Sequence, residues 1–228
     1  MRLLELFSGT GSVGKCAKEL GWETLSVDID GRADINMNIL DWNYKEYNKE
    51  SFDCIWASPP CATFSHLQYG QLGRMRNGKI FTKEQMESDM VTIGDPLVLK
   101  ALEIIEYFKP ELWFLENPQT GRLKHRDYMK HINFYDVDYC MYSDWGYRKR
   151  TRIWTSKEDW TPKVCDGKGT CGNMVGSLHK TNLGNTERLL KSKIKMKHFG
   201  DVSGVKTPSS LDDRYRIPPD LIYSLLCE

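Results

Sequence analysis

The sequence predicts an α/β fold built on a largely parallel central sheet, and three observations carry that expectation. Short apolar runs alternate with stretches of helical spacing. The connections between them are brief through the first half of the chain. Each strong polar cluster falls just after the carboxyl end of an apolar run, where open parallel sheets hold their ligands.

Residues 2–7 read as the first strand, with Ser8-Gly9-Thr10-Gly11-Ser12 directly behind it and a helical stretch over 13–20 that stops at Gly21. Residues 24–27 favour a second strand and end in Asp28-Ile29-Asp30. Residues 52–57 form another buried-strand run, ending in Ser58-Pro59-Pro60-Cys61. Apolar side chains recur at helical spacing over 96–108, and Pro110 closes that helix. Residues 112–115 then run as a strand into Glu116-Asn117-Pro118. Two stretches break the rhythm. Residues 66–94 are polar, basic at Arg74, Arg76, Lys79 and Lys83, and long for a connection, as lids and binding loops are. Residues 157–200 hold Gly167, Gly169, Gly172, Gly176 and Gly184 without a clear period, and read as a small loop-rich insertion.

The length of 228 residues, 40% hydrophobic and 28% charged, suits one globular domain with room for such an insertion. No run of about 18 apolar residues is present to span a membrane. The first residues lack a leader pattern, and seven cysteines, an odd number spread through the chain, do not form a secreted disulfide framework. The expectation is an intracellular, reduced protein. The formal net charge of +1 hides a division: residues 1–121 carry 12 Lys/Arg against 18 Asp/Glu, and residues 122–200 carry 17 against 8. A basic segment in an acidic framework points to a polyanion-facing surface, with a solvated lysine-rich loop as the alternative.

Four clusters carry chemistry. In Phe7-Ser8-Gly9-Thr10-Gly11, glycines let the backbone approach a ligand, and the start of the helix offers unpaired N–H groups. Asp28, about 20 residues further on, suits ribose hydroxyls, so an adenosine-containing cofactor fits the pair. Gly14 comes one position late for the dinucleotide fingerprint, which favours an S-adenosyl ligand over a nicotinamide. In Pro59-Pro60-Cys61-Ala62-Thr63-Phe64-Ser65, the prolines hold a thiol in a rigid turn, as a nucleophile or as a structural cysteine. Cys16, Cys54, Cys140 and Cys227 sit in apolar contexts and read as packing residues. Glu116 is a proton donor or acceptor if it faces a ligand, and otherwise a surface residue or a cap. Arg150, Arg152 and Trp154 alternate on one strand, which turns two guanidinium groups to one side. That pair suits phosphates or planar oxygen acceptors, or else guards an exposed edge.

In sequence order these clusters resemble the motifs of the cytosine-C5 DNA methyltransferase family: the F-x-G-x-G loop, the PCQ-x-F-S nucleophile loop, the ENV acid motif and the Q-x-R-x-R strand. The likeness runs from Leu4 to about Trp154. It resumes at Arg214-Tyr215-Arg216-Ile217-Pro218-Pro219, similar to the last motif that returns to the cofactor site. Ala62, Pro118 and Arg148 depart from the pattern but leave the reacting groups in place. The nearest likeness is to compact phage-type or large-virus-type members.

The resemblance implies a Rossmann-like S-adenosylmethionine-dependent methyltransferase fold, with a catalytic domain over 1–156, a basic target-recognition insertion over 157–205 and a returning segment over 206–228. S-adenosylmethionine would be the cofactor, bound by Phe7, Ser8, Gly9, Thr10, Gly11 and Ser12, with Asp28 and Ile29 at the ribose end, Asn38 and Ile39 near adenine, and Pro60 beside it. Cys61 would be the nucleophile, Glu116 the proton donor to the base, and Arg150 or Arg152 the contact to the base or the nucleophile loop. The implied partner is double-stranded DNA with a flipped cytosine. RNA, or a catalytically silent binding role, is the alternative. A monomer with no membrane partner is expected, in the cytoplasm of a bacterial or phage-infected cell or in the host cell of a virus. The settings the resemblance allows include restriction-modification. Cys165, Cys171 and His179, with His198 further on, make a candidate zinc set inside the insertion, with free thiols as the alternative.

Overall fold

The computed structural model describes residues 1–181, 210 and 212–227. The chain divides into two compact units. One comprises Met1–Tyr135 with Arg152–Glu158, and the other Asp136–Thr151 with Asp159–Glu228.

The main elements are β1 (Arg2–Leu6), α1 (Ser12–Glu19), β2 (Glu23–Asp28), β3 (Ile35–Asn36), β4 (Cys54–Ala57), β5 (Met75–Arg76), β6 (Lys79–Ile80), α2 (Lys83–Asp89), α3 (Asp95–Phe108) and β7 (Leu112–Pro118). They continue with β8 (Phe134–Asp138), β9 (Arg150–Thr155), β10 (Met174–Val175), β11 (Leu178–His179), α4 (Asp212–Tyr215) and α5 (Pro219–Cys227). Seven strands form one sheet in the order β3-β2-β1-β4-β7-β9-β8, and the ladders from β3 through β7 are parallel. This is the mostly parallel α/β architecture expected from the sequence. The chain steps outward from β1 to β2 and β3, then returns to lay β4 and β7 on the other side. The reversal between β1 and β4 is a topological switch point, where two successive loops diverge and leave a crevice.

Strand periodicity sorts the side chains onto two faces. Leu4, Leu6, Ile55, Ala57 and Leu115 join one buried cluster with Val98, Ala101, Ile104, Ile105 and Phe108 of α3. That helix begins with Pro96 in its first turn, where no N–H partner is needed. It ends where Lys109 turns left-handed at φ 47°, and Pro110 forbids continuation. Each fully buried aliphatic or aromatic side chain in this layer contributes roughly 1.5–3 kcal/mol. On the opposite face Trp56 and Phe114 stack at 4.9 Å, and Glu5 points toward α1.

Residues 66–94, read as a long polar connection, carry secondary structure of their own. A 3₁₀ segment (His66–Gln71), the β5–β6 hairpin, α2 and a π-helical turn (Met90–Gly94) lead into α3. Ion pairs supply part of the order in this stretch, alongside the buried Phe81, Met86 and Met90. Asp89 binds Arg76 at 2.9 Å, Glu87 binds Arg122 at 3.0 Å and Arg126 at 2.8 Å, and Arg126 also pairs with Asp95. No hydrophobic period marks such a stretch, so the sequence hides it.

In the second unit, Asp138 is 1% exposed and grips Arg148 through two parallel bonds of 2.9 Å. The Tyr147 hydroxyl donates to the Asp213 carbonyl at 2.6 Å, and Arg216 lies 3.8 Å from the centre of the Trp145 ring. The resembling segment around Arg216 therefore packs within this unit. Among the described residues no helix is long and apolar enough to cross a membrane.

Candidate active site at the carboxyl edge of the sheet

Leu6 pairs with Val27 and with Ala57, and Ala57 pairs with Leu115. Leu6, Val27, Ala57 and Leu115 of four adjacent parallel strands therefore stand level, and β7 runs on to Pro118. Phe7, Asp28, Ser58 and Glu116 are the next residues out, so three polar clusters that are far apart in sequence emerge along one edge.

The first loop turns sharply, with left-handed φ at Phe7 (58°), Gly9 (47°) and Gly11 (65°). A Cβ on Gly9 would meet nothing within 4 Å, so this glycine serves the backbone turn and leaves open space beside it. The Asp28 carboxylate braces the turn: one oxygen accepts from Gly9 N at 2.8 Å and the other from Asp30 N at 2.9 Å. Each oxygen keeps a second lone pair for a further donor. Ile29 beside it is 75% exposed, an apolar surface at the mouth of the loop. Thr10 and Ser12 hydroxyls bond each other at 2.7 Å, and Lys15 Nζ donates to the Thr10 carbonyl at 2.9 Å. Asn38 is exposed and caps its own turn by accepting from Leu40 N at 3.0 Å. Ile39 is buried in the core cluster, which leaves its main chain as the part able to face a ligand.

Glu5 holds this loop from beneath, a role not apparent from the sequence. Its carboxyl is buried and accepts from Val13 N at 3.2 Å and Gly14 N at 2.9 Å, the first turn of α1. Burial outweighs those two bonds and pushes its pKa up to about 7. Gly14 is required there, because a Cβ would stand 2.7 Å from the Glu5 Oε2 atom. The glycine that comes late for a dinucleotide fingerprint is thus explained by a neighbouring carboxyl.

Cys61 lies four residues past β4 and is partly exposed. Its loop is anchored at both sides. Asn117, 1% exposed, donates from Nδ2 to the Pro59 carbonyl at 2.9 Å, and Arg122 N donates to the Phe64 carbonyl at 2.8 Å. Phe64 is fully buried, and Phe64 N closes a turn on the Cys61 carbonyl at 3.1 Å. The π-helical turn packs against the same loop: a Cβ on Gly94 would stand 2.4 Å from Thr63 Oγ1 and 2.7 Å from Phe64 Cζ. Glu116 is 6% exposed and follows the last β4-paired residue of β7, the strand beside β4. The thiol and the carboxyl thus come from neighbouring strands, one on a pinned loop and one on the sheet itself.

Arg152 and Trp154 share a side of β9 as their spacing predicts, with the Arg152 guanidinium 5.8 Å from the Trp154 ring and 3.6 Å from that of Phe134. Arg150 lies in the second unit, 3.6 Å from the Asp138 carboxylate. Arg148, in the position of the expected glutamine, is committed to Asp138 and the Cys165 carbonyl.

The zinc candidates Cys165, Cys171 and His179 come together, and Cys140 joins them. Their sulfur and nitrogen atoms all lie within 4.8 Å of one another. Cys140 is buried as its packing reading expects, whereas Cys227, read the same way, is exposed and so is not a packing residue. Cys140 lies among the candidate ligand atoms, and its own apolar neighbourhood in sequence concealed that. Burial, aided by the Cys165 and Cys171 thiols, pushes the Cys140 thiol up, and burial with the nearby Arg148 charge holds the His179 imidazole below its usual range. His198 lies outside the described residues.

No family model matches the chain. It is 43% identical over 228 residues, 99% of each chain, to the protein named "Probable DNA (cytosine-5)-methyltransferase" of Frog virus 3 (isolate Goorha). Among solved structures it resembles the Entamoeba histolytica methyltransferase EhMeth, with a TM-score of 0.48 and 15% identity, over 72% of this chain and 57% of that one. It also resembles a mutant DNMT2 of Spodoptera frugiperda, with a TM-score of 0.41 and 21% identity, over 72% and 53%. The chain spans a little over half the length of those two structures. Full-length likeness at 43% identity, on a sheet that brings the matching loops to one edge, makes this chain a member of the cytosine-C5 DNA methyltransferase family.

Proposed function

We propose that this chain transfers a methyl group from S-adenosylmethionine to C5 of a cytosine in DNA. The observation that carries the reading is the level register of β2, β1, β4 and β7, which aligns the glycine loop, Asp28, the Cys61 loop and Glu116 along one edge. The residues present fit the cofactor: the Phe7–Ser12 backbone is bare of side-chain bulk at Gly9, and Asp28 offers an acceptor for ribose hydroxyls. Ile29 adds an exposed apolar side chain beside the ribose end, with Asn38, the Ile39 main chain and Pro60 toward adenine. When bound, S-adenosylmethionine supplies an electrophilic methyl group.

The chain's own residues then prepare the nucleophile. C5 of cytosine is too weakly nucleophilic to react alone. The Cys61 sulfur adds to C6, forming an S–C bond and pushing the ring electrons toward C5. Glu116 holds a proton at N3, which neutralises the negative charge that the addition places on the ring. After methylation, loss of the C5 proton expels the Cys61 thiolate and restores the aromatic ring. The Asn117–Pro59 bond and the Gly94 contact keep the thiol on station, because small displacements of a nucleophile are costly. Arg152 or Arg150 contacts the base or holds the nucleophile loop. A cytosine within a duplex is out of reach of this edge, so the base is flipped out, and the basic segment from 157 onward meets the DNA around it.

Incubation with S-adenosylmethionine and duplex DNA containing 5-fluorocytosine tests the reading, since fluorine at C5 blocks the final elimination. Wild type should form a covalent adduct, and Cys61→Ala should form none. Absence of adduct from wild type, or an undiminished one from the variant, overturns the assignment. Methyl transfer to tRNA but not to DNA would move the reading to the RNA branch.

A further inference from the structure

We propose that Cys140, Cys165, Cys171 and His179 bind one zinc ion, which staples the segment after β8 to the β10–β11 hairpin within the second unit. All four residues belong to that unit, and none of them is a group that the methyl-transfer reading uses.

The distances fit the metal. With zinc bonds of about 2.3 Å to sulfur and about 2.0–2.1 Å to nitrogen, a tetrahedral site sets sulfur and nitrogen about 3.6 Å apart. His179 Nε2 lies 3.7 Å from Cys165 Sγ and 3.5 Å from Cys171 Sγ. Three sulfurs and one imidazole as the donor set select zinc over hard cations, which prefer oxygen. A disulfide would contract one pair and strand the remaining thiol, and none of these cysteines is in one.

The surroundings are built to hold ligands in place. Cys165 Sγ accepts from Gly167 N at 3.4 Å, a bond that stabilises a thiolate. Asp138, fixed by Arg148, accepts from Cys165 N at 2.9 Å, while Arg148 Nη2 donates to the Cys165 carbonyl at 2.7 Å. Buried Asn173 donates to the carbonyls of Cys140 at 2.9 Å and Cys171 at 3.2 Å, tying two ligand-bearing segments together. Gly167, Gly169 and Gly172 take positive φ around the cysteines, and antiparallel pairing with Met174 places His179. Such hydrogen bonds behind the ligands set their orientation. The segment over 161–181 has few apolar residues, and a cross-link supplies the cohesion that a core would otherwise give.

The test is the metal content of the full-length protein purified without chelator, by inductively coupled plasma mass spectrometry. One zinc per chain is expected, retained in Cys61→Ala and Cys227→Ser and mostly lost in Cys140→Ser and Cys171→Ser. Cobalt loading of the chelator-stripped wild type should give the intense visible bands of a tetrahedral site with thiolate charge transfer, which needs no variant to fold. Chelation should also lower the melting temperature. Less than half an equivalent of zinc in zinc-replete wild type, together with no tetrahedral cobalt spectrum, overturns the proposal. So does full zinc content in both ligand variants. Loss of adduct formation with intact zinc would refute the catalytic reading alone.

Discussion

Glu5 makes stability depend on pH in a way that can be worked out. Its carboxyl is 4% exposed, and burial raises its pKa from 4.5 to about 7 despite the bonds from Val13 and Gly14. Below pH 4.5 the group is protonated in both states and has no differential effect. Between 4.5 and about 7 the unfolded chain gives up the proton while the folded one keeps it, so the folded state binds more protons and stability falls as pH rises. Above about 7 both states are ionised and the penalty is constant. The difference between the two pKa values, at about 1.4 kcal/mol per pH unit, gives a loss of roughly 3 kcal/mol. Glu5→Gln removes the titration and keeps the shape. Urea unfolding of both proteins from about pH 4 to about pH 8 should show the wild type losing roughly 3 kcal/mol relative to the variant, more than about 1 M in midpoint. A stability difference that stays constant within about 0.5 kcal/mol across that range would refute a buried, pKa-shifted carboxyl at this position.

Other outcomes follow from the same packing. Gly94→Ala places a methyl group against Thr63 and Phe64 and should cost about 1–3 kcal/mol in denaturant unfolding, with a fall in 5-fluorocytosine adduct rate. Glu116→Gln should slow methyl transfer by roughly 10²–10⁴-fold in a labelled-methyl assay while leaving the melting temperature nearly unchanged. Asp138→Ala leaves Arg148 without its paired carboxylate and should cost about 3–5 kcal/mol by urea unfolding; Cys61→Ala, by contrast, should unfold like wild type. Phe108→Ala, at a side chain 1% exposed with a T-shaped contact to Phe52 at 4.9 Å, should cost about 3–5 kcal/mol in the same measurement.

Local pattern made much of the catalytic edge legible. Gly9 and Gly11 announce a tight turn, the prolines before Cys61 announce a rigid one, and Glu116 stands directly behind an apolar run. Each signal is confined to a few consecutive residues, the range over which backbone sterics act. The 66–94 stretch was not legible, because Arg76, Arg122 and Arg126 find Asp89, Glu87 and Asp95 across the fold rather than along a helix face. An ion-pair lattice has no period to read.

By itself the sequence determined the alternation of strands and helices, and with it the fold class and the placing of the candidate site residues just past apolar runs. It also determined the family, because the order of the motifs survives where single motifs are ambiguous. Only the tertiary structure decided that Leu6, Val27, Ala57 and Leu115 stand level, since register depends on pairing between segments separated by dozens of residues. It alone gave Gly14 its reason in the Glu5 carboxyl, and Asn117 its hold on the Pro59 carbonyl. Cys140 shows the difference most clearly. In sequence it is one apolar-flanked cysteine 25 positions from Cys165, whereas in space its sulfur lies within 4.8 Å of three ligand atoms. A ligand set is a property of distance in three dimensions, and chain spacing encodes that distance only when the intervening segment is short.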